Sequence, residues 1–134
     1  MIALLDTNIL IASDADGEAP ASLSDFTDLR VSSLSWVELA NGLHTTADLA
    51  TFKRRSARLS ALRETFGEGI PFDDRCAAAY ERVLEHLSTQ GISPRAHVVD
   101  RMLAATALAH ELTLVSRDAD VFSGLTDLVS VAAR

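Results

Sequence analysis

Four carboxylates stand where burial would cost them most: Asp6, Glu38, Asp100 and Asp118. Asp6 directly follows the unbroken apolar run Ile2-Ala3-Leu4-Leu5, and Asp118 follows the run Leu112 to Val115 after a short step. Such runs read as strands buried on both faces. Glu38 lies in the early turns of a helix, between Val37 and Leu39. Asp100 shares a helical stripe with Leu103, Ala104, Ala107 and Leu108. Asp120 is a nearby fifth candidate. Carboxylates gathered in one cleft repel one another and do not all ionise unaided. A hard divalent cation removes that conflict, and Mg²⁺ and Mn²⁺ prefer oxygen ligands. No basic side chain in the sequence is an evident counter-charge, so a metal that would acidify a bound water is the economical partner.

Taken singly, each acid has a plainer reading. Asp6 can cap a helix. Ser35 and Glu38 have the spacing of a capping box. Asp118 can be a turn residue. Asp100 resists best, because a helix opened by Ser93-Pro94 would leave it beyond the reach of a cap.

The elements that must position these acids alternate between strand and helix. The first strand, Ile2 to Leu5, is followed by a short helix from Ile9 to Ala12, with Thr7 or Asn8 as its cap. A polar loop spans Ser13 to Pro20, and a helical turn is expected over Ala21 to Phe26. A weak strand follows at Leu29 to Ser32. Ser33 or Ser35 then caps a helix reaching His44, with Trp36, Leu39, Ala40 and Leu43 on one apolar face. The next helix runs from Ala47 to Phe66 and ends at Gly67. Ile70 to Phe72 reads as a short edge strand. Asp73 or Asp74 caps a helix that closes near Gly91. A further helix is expected from Ser93-Pro94 to His110, then the strand Leu112 to Val115, a turn near Val121 and Phe122, and a last strand, Leu128 to Val131. This is the α/β layered pattern, with a parallel sheet of four or five strands. Parallel strands put the Asp6 and Asp118 ends on one sheet edge, where ligands sit in such folds.

The chain has 134 residues, 48% of them hydrophobic, and reads as one domain spanning 1–134. No apolar run approaches the ~20 residues of a membrane span. The apolar start is broken by Asp6 and lacks basic residues, unlike an export signal, and Cys76 is the only cysteine. The cytosol is therefore the expected compartment. The net charge of −7 argues against nucleic-acid binding, except that Lys53, Arg54, Arg55, Arg58 and Arg63 concentrate positive charge on one helix. That cluster is either an RNA-binding surface or a solvated face. His44, His86, His97 and His110 show no metal-site spacing and read as surface or core residues.

Four segments together resemble a known family. They are Leu4-Leu5-Asp6-Thr7-Asn8; Ser33 through Trp36-Val37-Glu38-Leu39 to Gly42; Asp100 with Ala104-Ala105-Thr106-Ala107; and Leu114-Val115-Ser116-Arg117-Asp118. In this order they look like the PIN-domain ribonucleases, and the length and gaps are most similar to VapC toxins of bacterial toxin–antitoxin pairs. The resemblance implies a three-layer α/β/α fold and cleavage of RNA, most often transfer RNA, with Mg²⁺ or Mn²⁺. It places the acidic site at Asp6, Glu38, Asp100 and Asp118, with Asp6, Asp100 and Asp118 on the metal. It lets Asp120 share or replace the role of Asp118. Thr7 or Ser116 would bond metal-bound water, and Asn8 would brace the site. It also implies a VapB-type antitoxin. Trp36, Leu43, Leu49 and Phe52 offer an apolar groove for an antitoxin helix, and exposed apolar helix surface suggests a homodimer that assembles further with the antitoxin.

Two other enzyme readings fail on particular residues. A haloacid-dehalogenase phosphatase needs an acid where Asn8 stands, and a response-regulator receiver needs a late lysine, whereas the only lysine is Lys53. The rival from another class is an inactive PIN-like module that binds RNA or protein without cutting; possession of all four acids argues against it.

Overall fold

The computed structural model describes residues 1–12 and 22–134, so the loop expected at Ser13 to Pro20, and Ala21 beside it, lie outside the described residues. Strand β1 (Ile2–Leu5) lies inside the sheet, as its unbroken apolar run requires. Leu4 faces an apolar cluster that includes Ala79, Val83, Leu87, Leu103 and Leu114. Ala3 and Leu5 face the opposite cluster, with Ile9, Leu10, Leu39 and Val115. Successive side chains of a strand point to opposite faces, so helices must cover both.

The sheet is four-stranded among the described residues. Its order is β2 (Asp28–Arg30), β1, β3 (Thr113–Ser116) and β4 (Val131–Ala133), and every pair is parallel. On one side pack α4 (Asp74–Thr89) and α5 (Val98–His110). On the other lie α1 (Thr7–Ala12), α2 (Ser33–His44) and α3 (Leu49–Phe66). The result is the three-layer α/β/α arrangement. No helix among the described residues is long and apolar enough to cross a membrane.

Several boundaries differ from expectation. Ser32, not Ser33 or Ser35, caps α2, accepting from the Leu34 N–H. Ile70 to Phe72 contributes a single parallel bridge, Ser32 to Ile70, rather than a strand. That bridge brings the chain so close that a Cβ on Gly69 would lie 2.5 Å from the Ser33 nitrogen, so only glycine fits there. The last strand starts at Val131, and Leu128 precedes it in a turn closed on Leu125. Val121 and Phe122 belong to a 3₁₀ helix, Ala119–Leu125.

The largest difference concerns α5. It begins at Val98, after an N-cap at His97, and not at Ser93-Pro94. Asp100 therefore stands in the first helical turn, where a carboxylate favours the positive end of the helix dipole. The expectation that it lay beyond such help is corrected.

Candidate active site

The order β2-β1-β3 makes the chain leave β1 toward one side and return to β3 on the other. In parallel sheets the crevice at such a reversal lies beyond the strands' carboxyl ends. Leu5 pairs with Val115, so the next residues, Asp6 and Ser116, emerge side by side. The Asp6 N–H donates to the Val115 carbonyl at 2.9 Å and extends the ladder by one step.

Asp6 is buried. Its Oδ1 accepts from the Thr7 N–H at 2.7 Å, and its Oδ2 accepts from the Ser116 hydroxyl at 2.8 Å. Burial pushes its carboxyl up from 3.8 to about 6. The charges of Asp100 and Glu38 push the same way, while the Ser116 and Thr7 bonds pull it down.

The Ser116 hydroxyl is fully employed. It gives its one proton to Asp6 and accepts from Asn8 Nδ2 at 3.1 Å and from the Asp118 N–H at 3.0 Å. Asn8 in turn accepts from the Arg117 N–H through Oδ1, so it bridges α1 to the segment after β3. Thr7 Oγ1 lies 2.7 Å from Glu38 Oε1 and 2.9 Å from Ser35 Oγ. A hydroxyl has a single proton. The Thr7 proton goes to the carboxylate, and Ser35 donates to Thr7. Each hydroxyl spends its proton on a carboxylate, so either could meet a metal-bound water only as an acceptor, and Thr7 keeps a lone pair for that after accepting from Ser35. The capping box of Ser35 and Glu38 is absent because Ser32 caps α2 and Ser35 stands inside the helix, its N–H already given to the Ser32 carbonyl. Ser35 is the positioning residue that sequence reading missed, because its spacing to Glu38 imitates a cap.

Asp6, Glu38, Asp100 and Asp118 all line one cavity of about 250 Å³, together with Thr7, Asn8, Ile11 and Val121. Asp120 is exposed and is not part of that lining. His97 meets Asp100, with Nδ1 3.5 Å from Oδ2, so a basic side chain does stand at the site, contrary to expectation.

Among the described residues no three His, Cys, Asp or Glu side chains converge as a closed ligand cage. The donor set is all oxygen, with one carboxylate raised first by burial and further by its acidic neighbours. That chemistry fits a hard cation such as Mg²⁺, which keeps several waters and takes only one or two carboxylates directly.

The basic helix is divided. Lys53 and Arg54 are exposed, whereas Arg55 sends Nη1 to the Gly42 carbonyl at 2.8 Å and Arg58 is half-buried. The expected apolar groove is not gathered in one place either. Leu43 is buried in the core, Leu49 is 66% exposed, and Phe52 packs edge-on to His44. Trp36 lies under the Arg63 guanidinium and lines a separate cavity of about 580 Å³ with Ser33, Gly67 and Pro71.

The PIN domain family model matches residues 3–127. No curated protein matches the sequence significantly. Among solved structures, a chain of VapBC-5 from Mycobacterium tuberculosis, a member of the VapBC family of toxin–antitoxin systems, is 25% identical. It superposes with a TM-score of 0.80 over 98% of this chain and 96% of that one. FitAcB from Neisseria gonorrhoeae is 27% identical, with a TM-score of 0.79 over 98% and 96%. A toxin–antitoxin complex from Klebsiella pneumoniae is 26% identical, with a TM-score of 0.66 over 98% and 96%. With its parallel sheet, its acids at the strand ends and a family match over nearly its whole length, this chain belongs to the PIN-domain family.

Proposed function

We propose that this chain, acting as one domain over 1–134, is a metal-dependent endoribonuclease toxin of the cytoplasm. Its substrate is RNA, with transfer RNA the first class to test, and a VapB-type antitoxin holds it inactive. The observation that carries the reading is the convergence of Asp6, Glu38, Asp100 and Asp118 on one cavity at the carboxyl ends of β1 and β3.

Bound Mg²⁺ or Mn²⁺ would supply an activated water and neutralise charge on the scissile phosphate. Asp6, Asp100 and Asp118 would hold it, with Glu38 beside them. The chain's own residues prepare that role. Ser116 and the Thr7 N–H aim the Asp6 carboxylate and help keep it ionised. Thr7, backed by Ser35, fixes Glu38 in the cavity lining. Asn8 locks the two strand ends together. Lys53 and Arg54, both exposed, attract the phosphate backbone.

The antitoxin is supported by the similar chains, which come from toxin–antitoxin complexes. An antitoxin helix would contact the surface around Trp36, with Leu49 and Phe52 at its far end, and Leu43 would support that surface from within. An antitoxin arginine entering the acidic cavity would pair with carboxylates and occupy the cation's place. Homodimerisation, with larger assembly around the antitoxin, accords with the exposed apolar side chains Val37 and Leu49.

Sequencing RNA 5′ ends after brief expression of wild type and Asp6→Ala tests the function and names the RNA. Discrete new ends with wild type alone support it. Identical end profiles would sink it.

A further inference from the structure

Among the described residues, His97 and Glu111 are the only non-glycine residues with positive φ, and they bracket α5. Glu111 is accounted for as a left-handed C-terminal cap, its N–H returning to the Ala107 and Leu108 carbonyls. His97 has no comparable account. It opens the helix at φ 54° and ψ 42° and makes no side-chain capping bond. An N-cap is ordinarily extended and offers a side-chain oxygen to the helix N–H groups. A left-handed histidine forgoes that bond and carries a backbone cost of about 1 kcal/mol or more. What this backbone does is bring the imidazole to Asp100, with Nδ1 3.5 Å from Oδ2.

An independent strap holds the turn. Arg101 is 5% exposed, and its Nη1 donates to the Ser93 carbonyl at 2.6 Å. Its backbone N–H donates to the His97 carbonyl at 2.9 Å. The residue after Asp100 thus ties both ends of the segment 93–97 to α5. The Asp100 side chain is 33% exposed and lines the acidic cavity, so packing alone leaves its carboxylate free to turn outward.

We propose that His97 is a positioning residue for Asp100, holding its carboxylate toward the acidic cavity so that a divalent cation binds there more tightly. This rests on the metal site proposed above. Contact with Oδ2 leaves Oδ1 for the cavity. Partners of this kind behind a ligand commonly change metal affinity by about 10–100-fold, and an exposed pair belongs at the low end of that range.

The test is Mn²⁺ titration calorimetry on the intact chain, with thermal melting of the same samples without metal. The variants are His97→Gly, His97→Asn, Asp100→Asn and the double variant His97→Gly with Asp100→Asn. Glycine adopts the left-handed backbone freely, so His97→Gly should melt no lower than wild type without metal. Its Mn²⁺ affinity should fall about tenfold. Asparagine tolerates the same backbone and carries an amide donor, so His97→Asn should recover most of the loss. The double variant should be no weaker than Asp100→Asn. Unchanged Mn²⁺ affinity in His97→Gly overturns the proposal, as does an equal loss in the Asp100→Asn background. Wild-type protein that takes up no Mn²⁺ overturns the metal site itself, and this proposal with it.

Discussion

The hydroxyl of Ser116 donates to Oδ2 of Asp6 across 2.8 Å, joining residues 110 positions apart. The parallel register of β1 and β3 makes this contact, since it places the first residue past each paired position side by side. Ser116→Ala should remove the donor to Asp6 and leave Asn8 Nδ2 and the Asp118 N–H without their acceptor. Such a loss costs about 1–3 kcal/mol for a buried group. Cleavage should fall by about 10–100-fold, in line with losses behind metal ligands. Urea unfolding and RNA cleavage rates check both; wild-type values for the two would discount the hydroxyl.

Asp6 predicts an unusual pH dependence for the metal-free protein. Its carboxyl is raised from 3.8 to about 6, so between those values the folded state holds more protons than the unfolded one. This group's contribution to stability therefore falls as pH rises from about 4 to about 6 and is flat above. The shift corresponds to ~3 kcal/mol against folding at neutral pH. Asp48 and Asp73 are lowered by their capping bonds and act in the opposite sense at more acidic pH. The comparison of wild type with Asp6→Asn isolates the effect. The variant should gain stability relative to wild type as pH rises through that window, measured by urea unfolding. Parallel curves would contradict the assignment.

Cation binding should follow the same group. Mn²⁺ must displace the Asp6 proton below pH 6, so its stabilising effect should be larger at pH 7.5 than at pH 5.5. At a hundredfold excess over its dissociation constant it should add about 2.7 kcal/mol. Melting curves with and without Mn²⁺ measure this, and Asp100→Asn should blunt the rise.

Gly69→Ala should damage the site from a distance. The added Cβ would press on the backbone of Ser33 at the start of α2, which carries Ser35 and Glu38. Overpacking of this kind costs about 1–3 kcal/mol. A lower melting temperature together with slower cleavage is expected; normal melting would show that the Ser32–Ile70 bridge yields easily.

The basic helix should separate by burial. Lys53→Ala with Arg54→Ala should weaken RNA binding and reduce its salt slope by about 2. Arg55→Ala should mainly destabilise, because its guanidinium holds the Gly42 carbonyl where α2 ends. Filter binding across salt concentrations and thermal melting distinguish the two.

The layers and the site were legible to different depths in the sequence. The runs Ile2–Leu5 and Leu112 to Val115 declared buried parallel strands, and parallel topology then sent Asp6 and Asp118 to one edge. Helix starts were harder. Ser32, Ser33 and Ser35 are all competent caps by type; Ser32, held at the bridge to Ile70, takes the role, while Ser35 is engaged with Thr7. Ser93-Pro94 carries a strong start signal, yet Arg101 holds the Ser93 carbonyl and delays α5 to Val98. That displacement hid the partnership of His97 with Asp100, which depends on a left-handed backbone that no pattern of residue types announces. The four apolar residues read as one groove divide between core and surface, because helical spacing places Leu43 and Leu49 on faces but does not say which of them the core takes.

We propose above that four acids form one cation site that cuts RNA. The most direct measurement is the rate of RNA cleavage by purified protein across a Mn²⁺ titration, for wild type and Asp6→Asn, with both variants shown to be folded. The wild-type rate should rise and saturate with Mn²⁺ and vanish with chelator, and the Asp6→Asn rate should be at least a hundredfold lower, roughly the scale of losing a group on which the reaction depends. Equal cleavage by the two proteins, or wild-type cleavage indifferent to Mn²⁺ and chelator, would contradict it.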